Sequence, residues 1–417
     1  MDINTVISTL ASCLFYVRSR HLSIRRAFAL VCKELSCKSD MFDREQLFNL
    51  TKEFISSYYY LKCLFEKCGK QTPSNRALAK LFLYLHLEKN NERSPRRLKK
   101  LIHRDINIRS LEIIQDEFSC YYSLPNWLVK RLAQFFPSSE LTKLLNSLNK
   151  KTTWLRINTL KIDIDKALKN LEASGVEYAS YNDIPFLVRV LESKKPVRTM
   201  KLFKEGAIIP QDKASVLVVL ALEPEPYTTI YDFAAAPGVK ASLIMQLTEN
   251  KSRIIAVDNS PQRLERMKML LKYLGVDTAR VMLVLGDGRT MSLRERGDIA
   301  LVDAPCSSSG ALSKNPAIKI FLENENIVYY MKRLQISILN NALKYVDKAV
   351  YATCSLLPDE GEEVIMEVMK NNDYYRLAIP RIKALSGYSR YPIWDKVKRT
   401  FPHIDESEGF FIARLER

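Results

Sequence analysis

The chain has 417 residues, 47% of them hydrophobic, which exceeds one ordinary domain and suffices for the cores of two or three. No apolar run is long and charge-free enough to span a bilayer, and the N-terminus carries Asp2 where a secretory leader would be basic, so neither a membrane nor a secreted protein is expected. A net charge of +17 points to a polyanionic partner, nucleic acid first, although solubility alone also accounts for a basic chain.

The charge is unevenly placed. Residues 1–150 hold 25 Lys and Arg against 14 Asp and Glu, an excess of 11 out of the total 17. That favours a binding role for the front of the chain. The eight cysteines are spread along a large chain, which suggests reduced thiols and a cytoplasmic setting. Cys32/Cys37 and Cys63/Cys68 could be read as zinc pairs. On a helix, however, residues five apart point about 140° away from each other, and only four histidines exist to complete a site. No metal is expected.

Residues 1 to about 135 read as helices. Ser23–Leu30 carries apolar residues at three- and four-residue spacing, and Asn75–Leu87 repeats the pattern after Pro73-Ser74. Gly69 fits a helix end. Arg93–Lys100 holds five cations in eight residues, a phosphate-contacting stretch or a solvated loop. Over 136–208 the period changes. Trp154–Leu160 alternates like a strand, Ile164–Ser174 reads as a helix capped by Asp163, and Val176–Tyr178 and Phe186–Val190 read as strands. A small α+β module fits this order, with Arg156 and Asn158 touching RNA or facing solvent.

From residue 209 helices and strands alternate. Strands are predicted at Thr229–Phe233, Arg253–Val257, Val281–Leu285, Asp298–Val302, Ala349–Ala352 and Gly409–Leu415. Helices are predicted at Asp212–Ala221, Ala241–Thr248, Pro261–Leu274, Ile327–Tyr345 and Asp359–Met369. The result is a doubly wound, Rossmann-like α/β domain over 209–417.

Reactive groups in such sheets sit beyond the carboxyl ends of the strands. Two thiols are found there: Cys306 in Asp303-Ala304-Pro305-Cys306-Ser307 and Cys354 in Thr353-Cys354-Ser355. Taken singly, each also fits a buried structural cysteine. Together they suggest an enzyme that bonds covalently to its substrate. The turn Ala234-Ala235-Ala236-Pro237-Gly238-Val239-Lys240 gathers backbone N–H groups at a helix start and suits the carboxylate and ribose end of a nucleoside cofactor. It has neither G-x-G-x-x-G nor a phosphate-binding G-x-x-x-x-G-K-[ST] loop. Asp258 is placed to accept both ribose hydroxyls, and Asp287 an adenine amino group. Either acid alone also fits a cap or turn, but with Asp303 they form a series at successive strand ends.

Several segments resemble one family. DFAAAPGVK at 232–240, GDGR at 286–289, DAPCSSSG at 303–310 and YATCSLLPDE at 351–360 are similar to the motifs of the Sun-type (Fmu/Sun) RNA cytosine-5 methyltransferases. QDKAS at 211–215, RINTLK at 156–161 and FPHIDESEGFFIARL at 401–415 add to the likeness, which covers roughly 125–417. Ala234 stands where that family commonly has Cys, and Val239 where a second Gly is usual. The resemblance implies an all-helical NusB-like RNA-binding domain over 1–135, an RRM-like module over 136–208 and a methyltransferase domain over 209–417. It further implies S-adenosylmethionine as cofactor and 5-methylcytosine in RNA as product. Ribosomal RNA is the leading substrate and tRNA the second, with a non-catalytic RNA-binding factor as the other class. In the family pattern Cys354 attacks carbon 6 of cytosine and Cys306 assists release. Asp303 bonds the target base and Lys240 adds positive charge beside it. A cytoplasmic monomer is expected.

Overall fold

A computed structural model describes residues 3–35, 42–67, 72–90, 98 and 117–417. Gly69 and, apart from Leu98, the stretch Arg93–Lys100 lie outside them. The chain divides into two units, Met1–Lys150 with Ala311–Glu325, and Lys151–Gly310 with Asn326–Arg417.

The first unit is helical, as its periodicity predicts. Ile3–Arg20, Ile24–Glu34, Arg44–Ser56, Tyr58–Lys67 and Asn75–Lys89 are helices. Ser23, Asp43 and Ser74 cap three of them by accepting from otherwise unpaired backbone N–H groups. Each helix buries one stripe, so that Leu10, Leu14, Phe54, Leu61 and Leu83 share a core with Ala317 and Ile320 of the later segment. Between those last two, the Lys319 ammonium is buried. It donates to Ser56 O (2.9 Å), Ser56 Oγ (3.2 Å) and Asn149 Oδ1 (2.6 Å). Neutral acceptors do not offset the loss of water, and burial lowers its pKa to about 7.

Cys63 and Cys120 form a disulfide with Cα atoms 5.8 Å apart, and Cys32 is also disulfide-bonded. The expectation of reduced thiols is corrected at these positions. Spacing along the chain does not report distance in space, and the helix Tyr58–Lys67 runs beside Phe118–Tyr121. Among the described cysteines Cys13, Cys306 and Cys354 are free.

The second unit holds two sheets. In the smaller, β1 (Thr153–Ile157) lies between β3 (Leu187–Ser193) and β4 (Ile208–Pro210), with β2 (Val176–Ser180) outside β3. All its pairings are antiparallel. The larger sheet contains β5 (Thr229–Phe233), β6 (Arg253–Asp258), β7 (Val281–Leu285), β8 (Ile299–Asp303) and β9 (Lys348–Thr353), parallel in the order β9-β8-β5-β6-β7. β13 (Phe411–Glu416) adds antiparallel to β9, and β10 (Arg376–Ala378), β11 (Leu385–Ser386) and β12 (Lys398–Arg399) extend that side. These last short strands were not legible from period.

The near-continuous burial of β5, β6, β8 and β9 is that of parallel strands covered on both faces. Alternate residues enter two different cores. Ile230, Ile254 and Leu301 pack with Val218 and Ile244, while Tyr231, Ile255 and Val302 pack with Leu339 and Ile365. From β5 the chain proceeds to β6 and β7 on one side, then returns to β8 and β9 on the other. The carboxyl ends of β5 and β8 therefore flank a switch point, where such sheets open a crevice. No helix among the described residues is long and apolar enough to cross a membrane.

The antiparallel side is anchored by a fully buried ion pair. Arg399 donates to both carboxylate oxygens of Glu362, at 2.8 and 2.5 Å, and to Ser355 O at 3.0 Å, between the rings of Tyr388 and Phe411. Removing one partner leaves the other charge buried without compensation. Arg399→Leu is expected to lower unfolding stability by roughly 3–5 kcal/mol, measured by urea denaturation.

Candidate active site

β5 runs into the turn Ala234–Gly238 and then the helix Val239–Leu247. Ala234 (φ 66°) and Gly238 (φ 95°) are both left-handed. Gly238 is needed on two counts, since an added Cβ would also stand 2.6 Å from Met267 Cγ. Val239 begins the helix, and its carbonyl accepts from Arg156 Nη1 at 3.3 Å, while Arg156 Nη2 donates to Ser242 Oγ at 2.8 Å. Arg156 is wholly buried, and burial lowers its guanidinium pKa to about 9. Asn158 is buried too, donating to Gly206 O (2.9 Å) and Leu274 O (2.8 Å). The expectation that these two residues touch RNA or face solvent is corrected. Arg156 lies in β1, inside the small sheet, and Asn158 follows it; their side chains donate to acceptors at Val239, Ser242, Gly206 and Leu274.

Beside the turn is a cavity of about 120 Å³, lined by Ala234, Asp258, Arg263, Asp287, Pro305 and Tyr330 among others. Asp258, at the end of β6, accepts from Ser260 N (3.0 Å) and Ala236 N (3.3 Å), and Arg263 Nη2 lies 3.4 Å from its Oδ2. Arg263 also donates to Ala236 O. Asp287 reaches the same wall with its carboxylate engaged by Arg289, whose Nε donates at 2.9 Å and Nη2 at 2.5 Å. Those bonds hold Asp287 below the usual carboxylate range.

The two thiols meet at the next strand ends. Cys306 Sγ and Cys354 Sγ are 3.2 Å apart, and Pro305, next to Cys306, lines the cavity. Asp303 Oδ2 accepts from Lys240 Nζ at 2.6 Å, with that ammonium 5.5 Å from the Phe410 ring. Lys240, Asp303, Cys306 and Cys354 are thus set at the ends of β5, β8 and β9. The Cys306 thiol is held well above the usual thiol range, first by its hydrogen bond with Cys354 and then by burial.

One buried carboxylate joins the two thiol loops. Glu360 accepts from Ser307 N (2.7 Å) and Ser307 Oγ on the Cys306 loop, from Ser355 Oγ (2.6 Å) on the Cys354 loop, and from Gln335 Nε2 (3.1 Å). Burial raises its pKa while the serine bonds oppose the rise. Gly310 N donates to Cys354 O at 3.0 Å, and a Cβ on Gly310 would meet Gly409 O at 2.0 Å, so only glycine fits that contact. Glu360, Gln335 and Arg263 had no role in the sequence reading. An acid six residues beyond Cys354, after the apolar Leu356-Leu357-Pro358, was the available signal for the first.

Asp232 was also missed. It is buried in β5 with neither carboxylate oxygen partnered, and burial, with repulsion from Asp303 next, pushes its pKa up to about 8 against the pull of Lys240.

Residues 219–416 match the family described as 16S rRNA methyltransferase RsmB/F, and residues 124–198 match the RsmF/B-like ferredoxin-like domain. The chain is 32% identical over 317 residues to ribosomal RNA small subunit methyltransferase B of Klebsiella pneumoniae, covering 74% of this chain and 70% of that protein. It is 30% identical over 325 residues to the 28S rRNA (cytosine-C(5))-methyltransferase of Mus musculus, covering 74% of this chain and 40% of the mouse protein. A solved methyltransferase homolog from Pyrococcus horikoshii superposes with TM-score 0.64 at 26% identity, over 72% of this chain and 97% of that one.

The Asp232 environment carries a pH signature. Its pKa is higher folded (about 8) than its ordinary value of 3.8, so the native state holds the extra proton between those limits. The contribution of Asp232 to stability is full in acid and declines as pH rises from about 4 toward 8, by at most about 1.4 kcal/mol per pH unit. Asp232→Asn is expected to flatten that decline, measured as urea midpoints across the range.

Proposed function

The chain belongs to the RsmB/F family of ribosomal-RNA methyltransferases, and from that membership we propose that it forms 5-methylcytosine in ribosomal RNA with S-adenosylmethionine as methyl donor. The observation that carries the reading is the pair of thiols 3.2 Å apart beside a cavity at the switch point of the sheet. The cavity fits the cofactor in chemistry. A carboxylate stands at the end of β6 for a diol, Leu334 and Ile338 supply apolar wall, and the left-handed turn at Ala234 and Gly238 leaves room at the helix start. Asp258, Asp287 and the residues Ala234–Lys240 would hold it, and it would supply an electrophilic methyl group.

The chain's own groups do the rest. Carbon 5 of cytosine is a poor nucleophile until a thiolate adds to carbon 6, and Cys is suited to that addition. We assign the addition to Cys354. Asp303, steadied by Lys240, is proposed to hydrogen-bond the base and favour its electrophilic, protonated form. Once carbon 5 carries the methyl group, loss of its proton lets the carbon–sulfur bond break and returns the Cys354 thiol, a release assisted by Cys306. A base stacked in a helix cannot reach the sulfur, so the target is read as unpaired or flipped out.

The helical region 1–135 is proposed to dock RNA, because most of the excess charge lies there, with 136–208 as an auxiliary module and 209–417 as the catalytic domain. The proposed setting is a cytoplasmic monomer acting on ribosomal RNA rather than tRNA. Bisulfite sequencing of total RNA with and without the protein tests the activity; a ribosomal cytosine that loses protection without it supports the reading, and an unchanged map rejects it.

Asp258→Ala removes a hydrogen-bonded carboxylate, for which the usual cost is about 1.5–3 kcal/mol, so S-adenosylmethionine should bind roughly ten- to a hundredfold more weakly in calorimetry. Cys354→Ala should form no adduct and transfer no methyl group. Cys306→Ala should accumulate joined to RNA, as a slow band on a denaturing gel that disappears in the double variant. A band that survives without Cys354 would make Cys306 the nucleophile.

A further inference from the structure

Three serines follow Cys306, and they face different ways. Ser307 Oγ donates to Glu360, and Ser309 Oγ accepts from Leu356 N at 3.0 Å. Ser308 turns toward the thiols. Its Oγ is 3.3 Å from Cys354 Sγ, which donates to it, 3.9 Å from Cys306 Sγ and 3.5 Å from Cys306 O.

The backbone explains the difference. Ser308 has φ 58°, in the left-handed region that a side chain disfavours. The conformation persists because the loop is tied on both sides, by Ser307 N to Glu360 at 2.7 Å and by Gly310 N to Cys354 O at 3.0 Å. Strain held in this way is a pointer to function, and here it aims a hydroxyl at a sulfur.

We propose that Ser308 is a catalytic residue, whose hydroxyl accepts from the Cys354 thiol at rest and donates to the Cys354 thiolate once it forms. This rests on the assignment of Cys354 as the attacking thiol. A serine hydroxyl both accepts and donates, and its hydrogen turns freely about the C–O bond. The proton released by Cys354 passes to water, and the Ser308 hydroxyl keeps its own. Cys306 lies on the same sulfur, so an O–H and an S–H converge on the nucleophile. Hydrogen bonds to a charged acceptor are the strong ones, and the thiolate is the form that adds to carbon 6.

The test is the pH dependence of Cys354 alkylation by iodoacetamide in the full chain, read by mass spectrometry of the Cys354 peptide. Wild type, Ser308→Ala and Ser308→Gly are compared. Both variants should show about tenfold less thiolate at neutral pH, a midpoint about one pH unit higher. Single-turnover methylation should slow by a similar factor with KM for S-adenosylmethionine unchanged. Glycine is at ease at this φ, so Ser308→Gly should melt no lower than wild type, which separates loss of the hydroxyl from loss of the fold. An unmoved alkylation profile in Ser308→Gly overturns the proposal, as does a shift confined to Ser308→Ala. Adduct trapping decides the nucleophile separately. If trapping requires Cys354 and the profile does not move, only the Ser308 role fails. If trapping survives without Cys354, the catalytic role falls with that assignment.

Discussion

The site depends on one buried carboxylate. Cys306 and Cys354 leave different strands, and each loop by itself could adopt many paths. Glu360 accepts from the backbone and side chain of Ser307 and from Ser355, which binds the loops to one another. The acceptor is dry, so leaving any donor unpaired there would be costly. The main chain of Glu360 adds to the clamp, because its carbonyl accepts from Tyr351 Oη at 2.9 Å and Thr353 Oγ1 at 3.0 Å. The separation of the two sulfurs follows from this.

Around that clamp the unit is held by buried polar contacts between elements far apart in sequence. Arg399 ties β12 to Glu362 and to the Cys354 loop. Arg156 ties the small sheet to the start of the helix after the turn Ala234–Gly238. Asn158 does the same for the ends at Gly206 and Leu274. Arg156 and Asn158 donate to carbonyls and a hydroxyl of other segments, so geometry at the turn is set by the small sheet as well as by the large one.

The surroundings of the thiols bear on Cys306 directly. Cys306 is kept protonated by its bond with Cys354 and by burial. Left-handed backbone occurs at both Ala234, which lines the cavity, and Ser308, beside the thiols. Such strain is tolerated only where neighbours over-determine it, and here the neighbours are the same bonds that assemble the site.

Much of the fold was legible along the chain, because period and capping are local properties. The α/β alternation, the cap at Asp163, the helix start after Ser74, and the positions of Cys306, Cys354, Asp258 and Asp303 at strand ends all follow from patterns a few residues wide. The motifs named the family for the same reason. Tertiary structure alone decided which groups meet. It buried Arg156 and Asn158, paired Cys63 with Cys120, engaged Asp287 with Arg289, and carried Lys319 into the helical unit. It also put Glu360 between two loops and turned Ser308 toward Cys354. Strand order and loop closure set those distances, and a charge or hydroxyl reads the same in sequence whether it ends in water or in a core.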